Sequence, residues 1–590
     1  MYRLFVILSF VFLFYSCRND SQEEDFSEKI VFKIGISKEP AALLPFKRRG
    51  RAELQINPYI FPQIADFDPV TRKLIPSLIE KIPSEIKIDT GKHKGLLKYS
   101  LELRKDAKWD NGMPITAKDY IFSVKILLDP MLDIHPAIRN QFKSIRDIVL
   151  DKNNPQRFDV YTVNDYMLSK ELVTNMELYP EYFYDSLHVL RKYDYPYFLN
   201  SNKIAKLLEE TQGSKQFAKK INGTYFMREH ISNIGPYKLL KWEANRYLSL
   251  GKKENWWGEK YSRMNTYLKN NPDKIIFKII PDKTTALAEL KNDNIDLLSD
   301  VPGIDFKRLK EDTLYNKKLD FYSPLALKYS VIIINNRNKI LKDKRVRKAL
   351  AHLTDVDFII KTYGTGEEKR LTGPIHLSKQ YYDKSLTHIN YNVHKAKDLL
   401  SEAGWKDSDG NGVLDKIIDG KKTEFDISFK IIGRKIEKNV ALLLKENAKK
   451  AGINIEIINK TRKEYRNDRR NFKFDLLLSN ISKDLVDYDP YPRWHSDNIN
   501  PGKSNLTGFH TDECDLIIEK IIRSKNQKEK KDLYKKFQEI IYENQPAIFL
   551  YVPTNNIIVN NKYKIVTSIK RPGYFANTVE LKSDSKTNLK

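Results

Sequence analysis

The stretch LRKDAKWDNGMPITAKDY, residues 103–120, carries the most specific signals for the fold. Its turn residues Asn111 and Gly112 precede Thr116, and Asp119 follows Thr116 at the three-residue spacing of a helix capping box. Beyond this point apolar residues recur at helical spacing, at Ile121, Val124 and Leu128. The stretch therefore predicts a tight turn that leads into a capped helix.

Short strands and capped helices alternate along the rest of the chain. Residues 274–280 and 330–334 are β-branched runs of strand length, and residues 30–36 alternate apolar and polar side chains. Asn392 is placed to cap a helix that Gly404 ends. This mixed order favours the α/β or α+β class, and no Pro/Gly/Ser-rich linker divides the chain into independent domains.

The composition is that of a folded protein with a basic surface. The chain has 590 residues, of which 41% are apolar and 11% aromatic, enough to build large cores. Lys and Arg number 103 against 77 acidic residues, and the net charge of +26 is spread along the chain. We interpret this excess as a solvated surface, with an anion-binding face as the alternative and no nucleic-acid partner. Lysine-rich polar stretches at 151–157, 211–220 and 460–470 are expected to be exposed loops or insertions.

The amino terminus has the pattern of a secretion signal. An apolar run over residues 4–15 is shorter than the about 20 residues that span a bilayer, and it fits the about 7 to 15 residues of a signal-peptide core. A small residue directly before Cys17 resembles the lipobox of bacterial lipoproteins, in which the cysteine is acylated. We therefore expect a signal peptide over residues 1–16, a lipid on Cys17 and a tether over residues 17–29. Cys514 is then left without a disulfide partner, and we expect it to be buried or partly buried.

The sequence lacks the usual short motifs of catalysis. It contains no Gly-x-Ser-x-Gly turn, His-Glu-x-x-His helix, Cys-x-x-Cys pair or Gly-rich phosphate loop. We therefore expect a protein that is not an enzyme. A catalytic set of residues distant in sequence stays an alternative.

One loop has the spacing of a calcium site. Oxygen-bearing residues stand at positions one, three, five and nine of an EF-hand pattern, and these are Asp407, Asp409, Asn411 and Asp415. The twelfth position, which needs a bidentate glutamate, is Ile418. Two interpretations stay open, a weakened calcium site and an Asp/Gly-rich turn between a helix and a strand. No other cofactor is expected.

Five segments, taken in order, resemble the oligopeptide/dipeptide class of extracellular solute-binding proteins that serve ABC importers. The first is the stretch 103–120, which is similar to a strand, turn and helix start of that class. The others are Gly235-Pro236-Tyr237 with Asn255-Trp256-Trp257-Gly258, a helix end at Leu290 and Asp296, DKRVRKAL at 343–350, and AKDLLSEAGW at 396–405. The resemblance runs from about residue 31 to about residue 553.

The resemblance implies an α/β, two-lobed periplasmic-binding-protein clamp of the large type II class, with an extra subdomain inserted in the first lobe. By position, the two crossings between the lobes are expected near residues 281–282 and near residues 549–553. Lobe I with its insertion would then span residues 30–282 and 548–590, and lobe II residues 283–547.

In that class an aspartate in a segment ending in Asp-Pro binds the α-amino group of the ligand. The matching stretch here is residues 484–490, in which the resemblance leaves Asp484 and Asp487 as candidates, with Asp487 as the first choice. Asp489 is a further candidate, or it caps the turn that follows.

Aromatic residues close by have two interpretations each. Tyr488 and Trp494 either line the ligand cavity or belong to the core. His495 either helps to bind a metal complex or is an exposed or capping histidine. The basic partner of a peptide carboxylate cannot be placed from spacing alone.

The function that the resemblance implies is capture of peptides between two lobes and their delivery to an ABC permease. The partners would be a peptide, the permease subunits and a bacterial membrane, bound through a lipid on Cys17 at its periplasmic or outer face. We expect a monomer. The alternatives are the same fold with another solute, such as a nickel complex or an oligosaccharide, and an extracytoplasmic enzyme or structural lipoprotein.

Overall fold

A computed structural model describes the chain over residues 29–47, 50–164, 166–482, 485–524 and 526–583. The predicted signal peptide, Cys17, nearly all of the tether and Asp484 lie outside these described residues. Within them, no helix has both the length and the apolar character needed to cross a membrane.

The strands, in chain order, are β1 (Val31–Ile36), β2 (Ala65–Phe67), β3 (Leu74–Pro76), β4 (Glu85–Lys87), β5 (Leu97–Glu102), β6 (Ile145–Leu150), β7 (Arg157–Thr162), β8 (Tyr237–Glu243), β9 (Tyr247–Lys252), β10 (Lys274–Ile279), β11 (Leu297–Leu298), β12 (Leu319–Tyr322), β13 (Lys328–Ile334), β14 (Lys369–Arg370), β15 (Asp415–Ile418), β16 (Lys421–Glu424), β17 (Asp426–Ile431), β18 (Asn454–Asn459), β19 (Leu476–Ser482), β20 (Ala547–Val552), β21 (Ile557–Asn560), β22 (Tyr563–Thr567) and β23 (Tyr574–Leu581).

The α-helices are α1 (Glu53–Ile56), α2 (Ala117–Leu128), α3 (Pro136–Phe142), α4 (Ser169–Thr174), α5 (Glu181–Tyr184), α6 (Tyr195–Phe198), α7 (Ser201–Glu209), α8 (Gln212–Asn222), α9 (Lys283–Lys291), α10 (Gly303–Glu311), α11 (Thr313–Asn316), α12 (Lys344–His352), α13 (Val356–Tyr363), α14 (Val393–Glu402), α15 (Lys435–Lys449), α16 (Arg462–Arg470), α17 (Tyr491–Trp494), α18 (Asp512–Arg523) and α19 (Gln527–Asn544).

Lobe I is built on a seven-stranded mixed sheet with the order β12-β21-β11-β1-β10-β9-β8. Strand β1 lies parallel to β10 on one side and to β11 on the other. Its side chains Phe32 and Ile34 are fully buried, as is Phe277 of β10. Because these strands are parallel, their carboxyl ends meet at one edge of the sheet, where open α/β sheets bind ligands.

The inserted subdomain contains an antiparallel sheet of order β4-β5-β7-β6 and the helices α2 to α8. The capping box predicted at the start of α2 is confirmed, since Thr116 N donates to Asp119 Oδ2 at 2.8 Å. Tyr99 and Leu101 of β5 belong to the same hydrophobic core as Phe32 of lobe I. The insertion is therefore packed into lobe I.

Lobe II has a six-stranded sheet with the order β14-β20-β13-β19-β17-β18. Successive side chains of β13 point to opposite faces, as the period of a strand requires. Ile332 and Ile334 pack into one core, and Val331 and Ile333 pack into the other. Helices cover both faces, so β13 is a buried central strand.

The two crossings between the lobes differ from the predicted positions. Strands β11 and β12 still belong to the sheet of lobe I, so the first crossing is at residues 323–327, not at 281–282. Strand β20 pairs with β13 in lobe II, so the return is at residues 553–556. The prediction of the first crossing was wrong because α9 carries the chain from β10 back to the other side of β1, where the sheet continues with β11.

The crossing segments lie side by side and are hydrogen-bonded to each other. Ala326 N donates to Pro553 O at 2.7 Å, and Asn555 N donates to Pro324 O at 2.8 Å. Leu325 and Thr554 form an antiparallel bridge between them. The lobes are therefore joined by one two-stranded ribbon.

Of the three polar stretches predicted as loops, only residues 151–157 form one, between β6 and β7. Residues 211–220 and 460–470 lie almost entirely in the helices α8 and α16. Thr461 is the N-cap of α16 and forms a capping box with Glu464. Tyr465 supplies its buried contact, with the hydroxyl donating to Leu478 O at 2.5 Å. This aromatic anchor, together with the ion pair of Asp468 with Lys430 of β17 at 2.8 Å, holds an otherwise polar helix to the sheet.

Candidate functional site

Hydrogen bonds and an ion pair join the two lobes around a cleft. Arg72 Nη1 donates to Ser378 O at 3.1 Å, and Lys310 Nζ donates to Glu367 Oε1 at 3.0 Å. Arg571 of lobe I donates from Nη2 to Ser482 Oγ, the last residue of β19 in lobe II, at 2.6 Å. The cleft between these contacts is the candidate site.

Two depressions in lobe I lie at this cleft. One is lined by Arg571 itself together with Lys570 and Tyr267. The other lies at the carboxyl ends of β1, β10 and β11 and is lined by Arg51 and Asp300. A cleft at this edge of a parallel sheet is the usual ligand position in an open α/β fold.

Asp487 lies on the lobe II side and has a cationic partner. Lys530 Nζ of α19 is 3.6 Å from Asp487 Oδ2. The Lys530 side chain is 10% exposed, whereas that of Asp487 is 34% exposed. The side chain of Asp487 is therefore the more accessible of the two to solvent.

An aromatic cluster holds this ion pair in place. The Tyr381 ring stacks on Tyr534 with centroids 4.3 Å apart, and Lys530 Nζ is 6.0 Å from the centre of the Tyr381 ring. Tyr381 also donates its hydroxyl to Gln527 Oε1 at 2.7 Å. The hydroxyl of Tyr534 donates to the backbone oxygen of Tyr488, next to Asp487.

A second carboxylate, Glu171 of α4, faces this region from the inserted subdomain. Burial raises the pKa of Glu171, and the negative charge of Asp487 raises it further, while Lys170 and Lys530 lower it. Tyr166 is in the same electrostatic neighbourhood, since burial and the charges of Asp489 and Glu171 raise its pKa. Sequence reasoning missed Glu171, because no motif links α4 to a segment more than three hundred residues later.

The other predicted ligand residues have structural partners. Asp489 Oδ1 accepts a hydrogen bond from Tyr491 N at 2.9 Å, which is the capping interpretation of that residue. Trp494 Nε1 donates to Tyr488 Oη at 2.7 Å, and both side chains are buried in a core of lobe II. The structure thus places Tyr488 and Trp494 in the core, the second interpretation that the sequence left open.

His495 is buried and caps a short helical turn. Its Nδ1 accepts a hydrogen bond from Asp497 N at 3.2 Å, and its ring stacks on Tyr491 with centroids 4.2 Å apart. Its Nε2 is 3.6 Å from Glu519 Oε1. The histidine therefore has the capping role, which gives no support to a metal-complex site at this position.

The basic side of the cleft lies next to the crossings. Lys328 is the first residue of β13 and stands in register with Ser482, the residue that Arg571 binds across the cleft. Burial lowers the pKa of Lys328, as do the charges of Arg51, Arg571 and Arg434, and only Asp300 raises it. Asp300 is itself bound by Arg51 Nη1 at 2.8 Å.

Lys328 and Arg571 have no carboxylate within salt-bridge distance among the residues that the structure describes. The charge of Asp300 acts on Lys328, but Asp300 is itself bound by Arg51. Lys328 is half-buried, and such a cation carries a desolvation cost that an anionic ligand would offset, whereas Arg571 is exposed. Neither residue belongs to a motif, so no sequence pattern predicts that they lie close together.

The residues of the predicted calcium loop form hydrogen bonds within the loop and ion pairs with a lysine. Asp407 accepts from Gly412 N at 3.0 Å, and Asp415 accepts from Ser408 N at 2.9 Å. Lys422 Nζ is 2.6 Å from Asp409 Oδ2 and 3.5 Å from Asp415 Oδ2. Among the described residues, no group of three or more His, Cys, Asp or Glu side chains is placed to hold a metal ion. Calcium binding here stays a prediction, and the ammonium group of Lys422 competes with it.

Two α/β lobes, a paired crossing and a cleft charged at both ends define the class of two-lobed solute-binding proteins. Residues 73–502 match the model of the bacterial extracellular solute-binding proteins, family 5 middle region, and the chain belongs to this family. The α/β clamp predicted from the sequence is confirmed.

Similar curated proteins cover most of the chain. The oligopeptide-binding protein AppA of Bacillus subtilis is 28% identical over 471 residues, which is 78% of this chain and 77% of the relative. The periplasmic oligopeptide-binding protein OppA of Salmonella typhimurium is 23% identical over 503 residues, 82% of each chain. The heme-binding protein A of Haemophilus influenzae is 25% identical over 317 residues, 53% of each.

Solved structures share the fold. Bacillus subtilis AppA in complex with a nonapeptide has a TM-score of 0.67 and 23% identity over 94% of this chain and 99% of that chain. NikA of Brucella suis in complex with Fe(III)-EDTA has a TM-score of 0.72 and 18% identity over 94% and 100%. Proteins with this fold therefore bind different solutes, so the ligand of this protein has to be inferred from the residues of its cleft.

Proposed function

We propose that this protein captures short peptides between its lobes and delivers them to the permease of an ABC importer. The observation that carries the proposal is the charge pattern of the cleft, with the carboxylates Asp487 and Glu171 on one side and the cations Lys328 and Arg571 on the other. A free peptide carries an ammonium group at one end and a carboxylate at the other. Each end would then meet the opposite charge.

The length of the chain between the two charged regions sets an upper limit on the distance that a ligand has to span. Arg571 binds Ser482, which is five residues before Asp487 in the chain. Five residues span at most about 18 Å, so the Cα atoms of Ser482 and Asp487 lie within about that distance. An extended peptide of about five residues spans the same length.

The names of the relatives give the proposal further support. Two of the similar curated proteins are named as oligopeptide-binding. Anchoring through a lipid on Cys17, a monomeric state and a position outside the cytoplasm belong to the same proposal, supported by the amino-terminal pattern and the family. Closure around the ligand, with no catalysis, is the step that the permease would recognise.

Thermal unfolding of the chain from Arg18 onward, which retains every described residue, tests the proposal. A ligand at about 100 times its dissociation constant stabilises the folded state by about 2.7 kcal/mol. We expect di- to pentapeptides to raise the melting temperature and Asp487→Asn to reduce that rise. Nickel complexes and oligosaccharides are tested in parallel, and a rise with one of these instead of peptides would overturn the peptide assignment.

A further inference from the structure

The ion pair of Lys530 with Asp487 gives the proposed amine site an internal positive charge. The two charged atoms, Lys530 Nζ and Asp487 Oδ2, are 3.6 Å apart, too far for a strong hydrogen bond but close enough for a large Coulomb interaction. Asp487 thus meets a ligand with much of its charge already offset.

The lysine has little freedom to leave. Nine-tenths of its side chain is buried, and its ammonium group lies 6.0 Å from the centre of the Tyr381 ring, within reach of a cation–π interaction. That ring is fixed by its stacking on Tyr534. The packing around Lys530 therefore restrains its ammonium group beside Asp487.

Charged groups from several elements surround this site. The charges of Asp487, Lys170 and Lys530 act on Glu171, and those of Asp489 and Glu171 act on Tyr166. Resident ammonium groups therefore offset much of the carboxylate charge before a ligand arrives. These side chains come from both lobes. Lys379 Nζ donates to Val486 O, next to Asp487. The neighbouring Ser378 accepts a hydrogen bond from Arg72, so lobe I contacts lobe II beside this site.

We propose that Lys530 is a specificity-determining residue of the peptide cleft. Its resident ammonium group lets Asp487 and Glu171 together bind one ligand ammonium group and disfavours a second positive charge at the amino end of the ligand. The inference rests on the proposed function and deepens it. The preferred class of ligand is a peptide whose first side chain is uncharged, because a basic first side chain adds a cation near Lys530.

Calorimetric titration with two tripeptides, Ala-Ala-Ala and Lys-Ala-Ala, tests the inference at low ionic strength. In the wild-type protein we expect Ala-Ala-Ala to bind about tenfold more tightly, the effect of one like-charge interaction of modest size. In Lys530→Met the preference should vanish or reverse. Lys530→Arg should restore it, and Lys531→Met, on the exposed face of the same helix, should leave it unchanged.

The outcomes separate this inference from the proposed function. Equal affinity of the two peptides for the wild-type protein, or a preference that survives in Lys530→Met, overturns the role of Lys530 and leaves peptide binding intact. Binding of neither peptide to the wild-type protein overturns the proposed function and this inference with it. The ratio of two affinities is the readout because a purely structural loss in Lys530→Met would weaken both peptides alike.

Discussion

Arg571 Nη2 of lobe I donates a hydrogen bond of 2.6 Å to Ser482 Oγ of lobe II, directly beside the half-buried Lys328. The bond joins the lobes on the basic side of the cleft. We expect Arg571→Ala to remove both this link and one counter-charge for a peptide carboxylate.

The affinity of Arg571→Ala for a free-acid tripeptide should fall by about tenfold, the loss of one charge-assisted hydrogen bond. The carboxy-amidated tripeptide should bind equally to variant and wild type. Lys564→Ala, which removes an exposed cation from the same hairpin, is the matched control. An equal loss of affinity for the free-acid and the amidated tripeptide would show that Arg571 links the lobes but does not bind the peptide carboxylate.

Lys328→Met should separate stability from binding. Burial and neighbouring cations lower the pKa of Lys328, so at neutral pH its charge opposes folding, and the variant should be more stable by about 1 kcal/mol. The same variant should bind a free-acid peptide less tightly. Denaturant unfolding and calorimetry measure the two effects, with exposed Lys342→Met as the control. A destabilised variant would refute the unpaired-cation argument.

Trp494→Phe should act on the core and spare the cleft. The variant loses the hydrogen bond from Trp494 Nε1 to Tyr488 Oη and part of a buried ring, which costs about 1 to 3 kcal/mol of unfolding free energy. Peptide affinity should change less than twofold. Trp405→Phe, in the other core of lobe II, is the comparison. A large loss of affinity confined to Trp494→Phe would place this ring in the ligand cavity after all.

Asp129 should make the stability of lobe I fall as the pH rises. Burial raises the pKa of Asp129 to about 7, above that of an unfolded aspartate, so the folded state binds the extra proton between about pH 4 and 7. Stability is therefore highest at the acid end of this window and declines by about 2 to 4 kcal/mol through it. Asp129→Asn should flatten the melting-temperature profile between pH 4 and 7, and Asp398→Asn, an exposed carboxylate, should not.

Local signals were predicted better than long-range ones. The capping box at Thr116 and Asp119 and the caps at Asn392 depend on residues three apart, so the sequence contains all of their determinants. The crossings were misplaced because β11 and β12 join a sheet whose other strands lie far away in the chain. Lys328, Arg571 and Glu171 are brought to the cleft by tertiary structure, and no local sequence pattern predicts that they lie there.

The ribbon formed by Ala326 with Pro553 and Asn555 with Pro324 limits how the lobes can move. Two separate tethers would let one lobe slide, twist and tilt against the other independently. Two strands bonded to each other bend together, so opening is reduced to rotation about a single axis. A ligand that closes the cleft at any one point then sets the distance between the lobes at every other point, and a partner protein could read occupancy on the outer rim without touching the ligand.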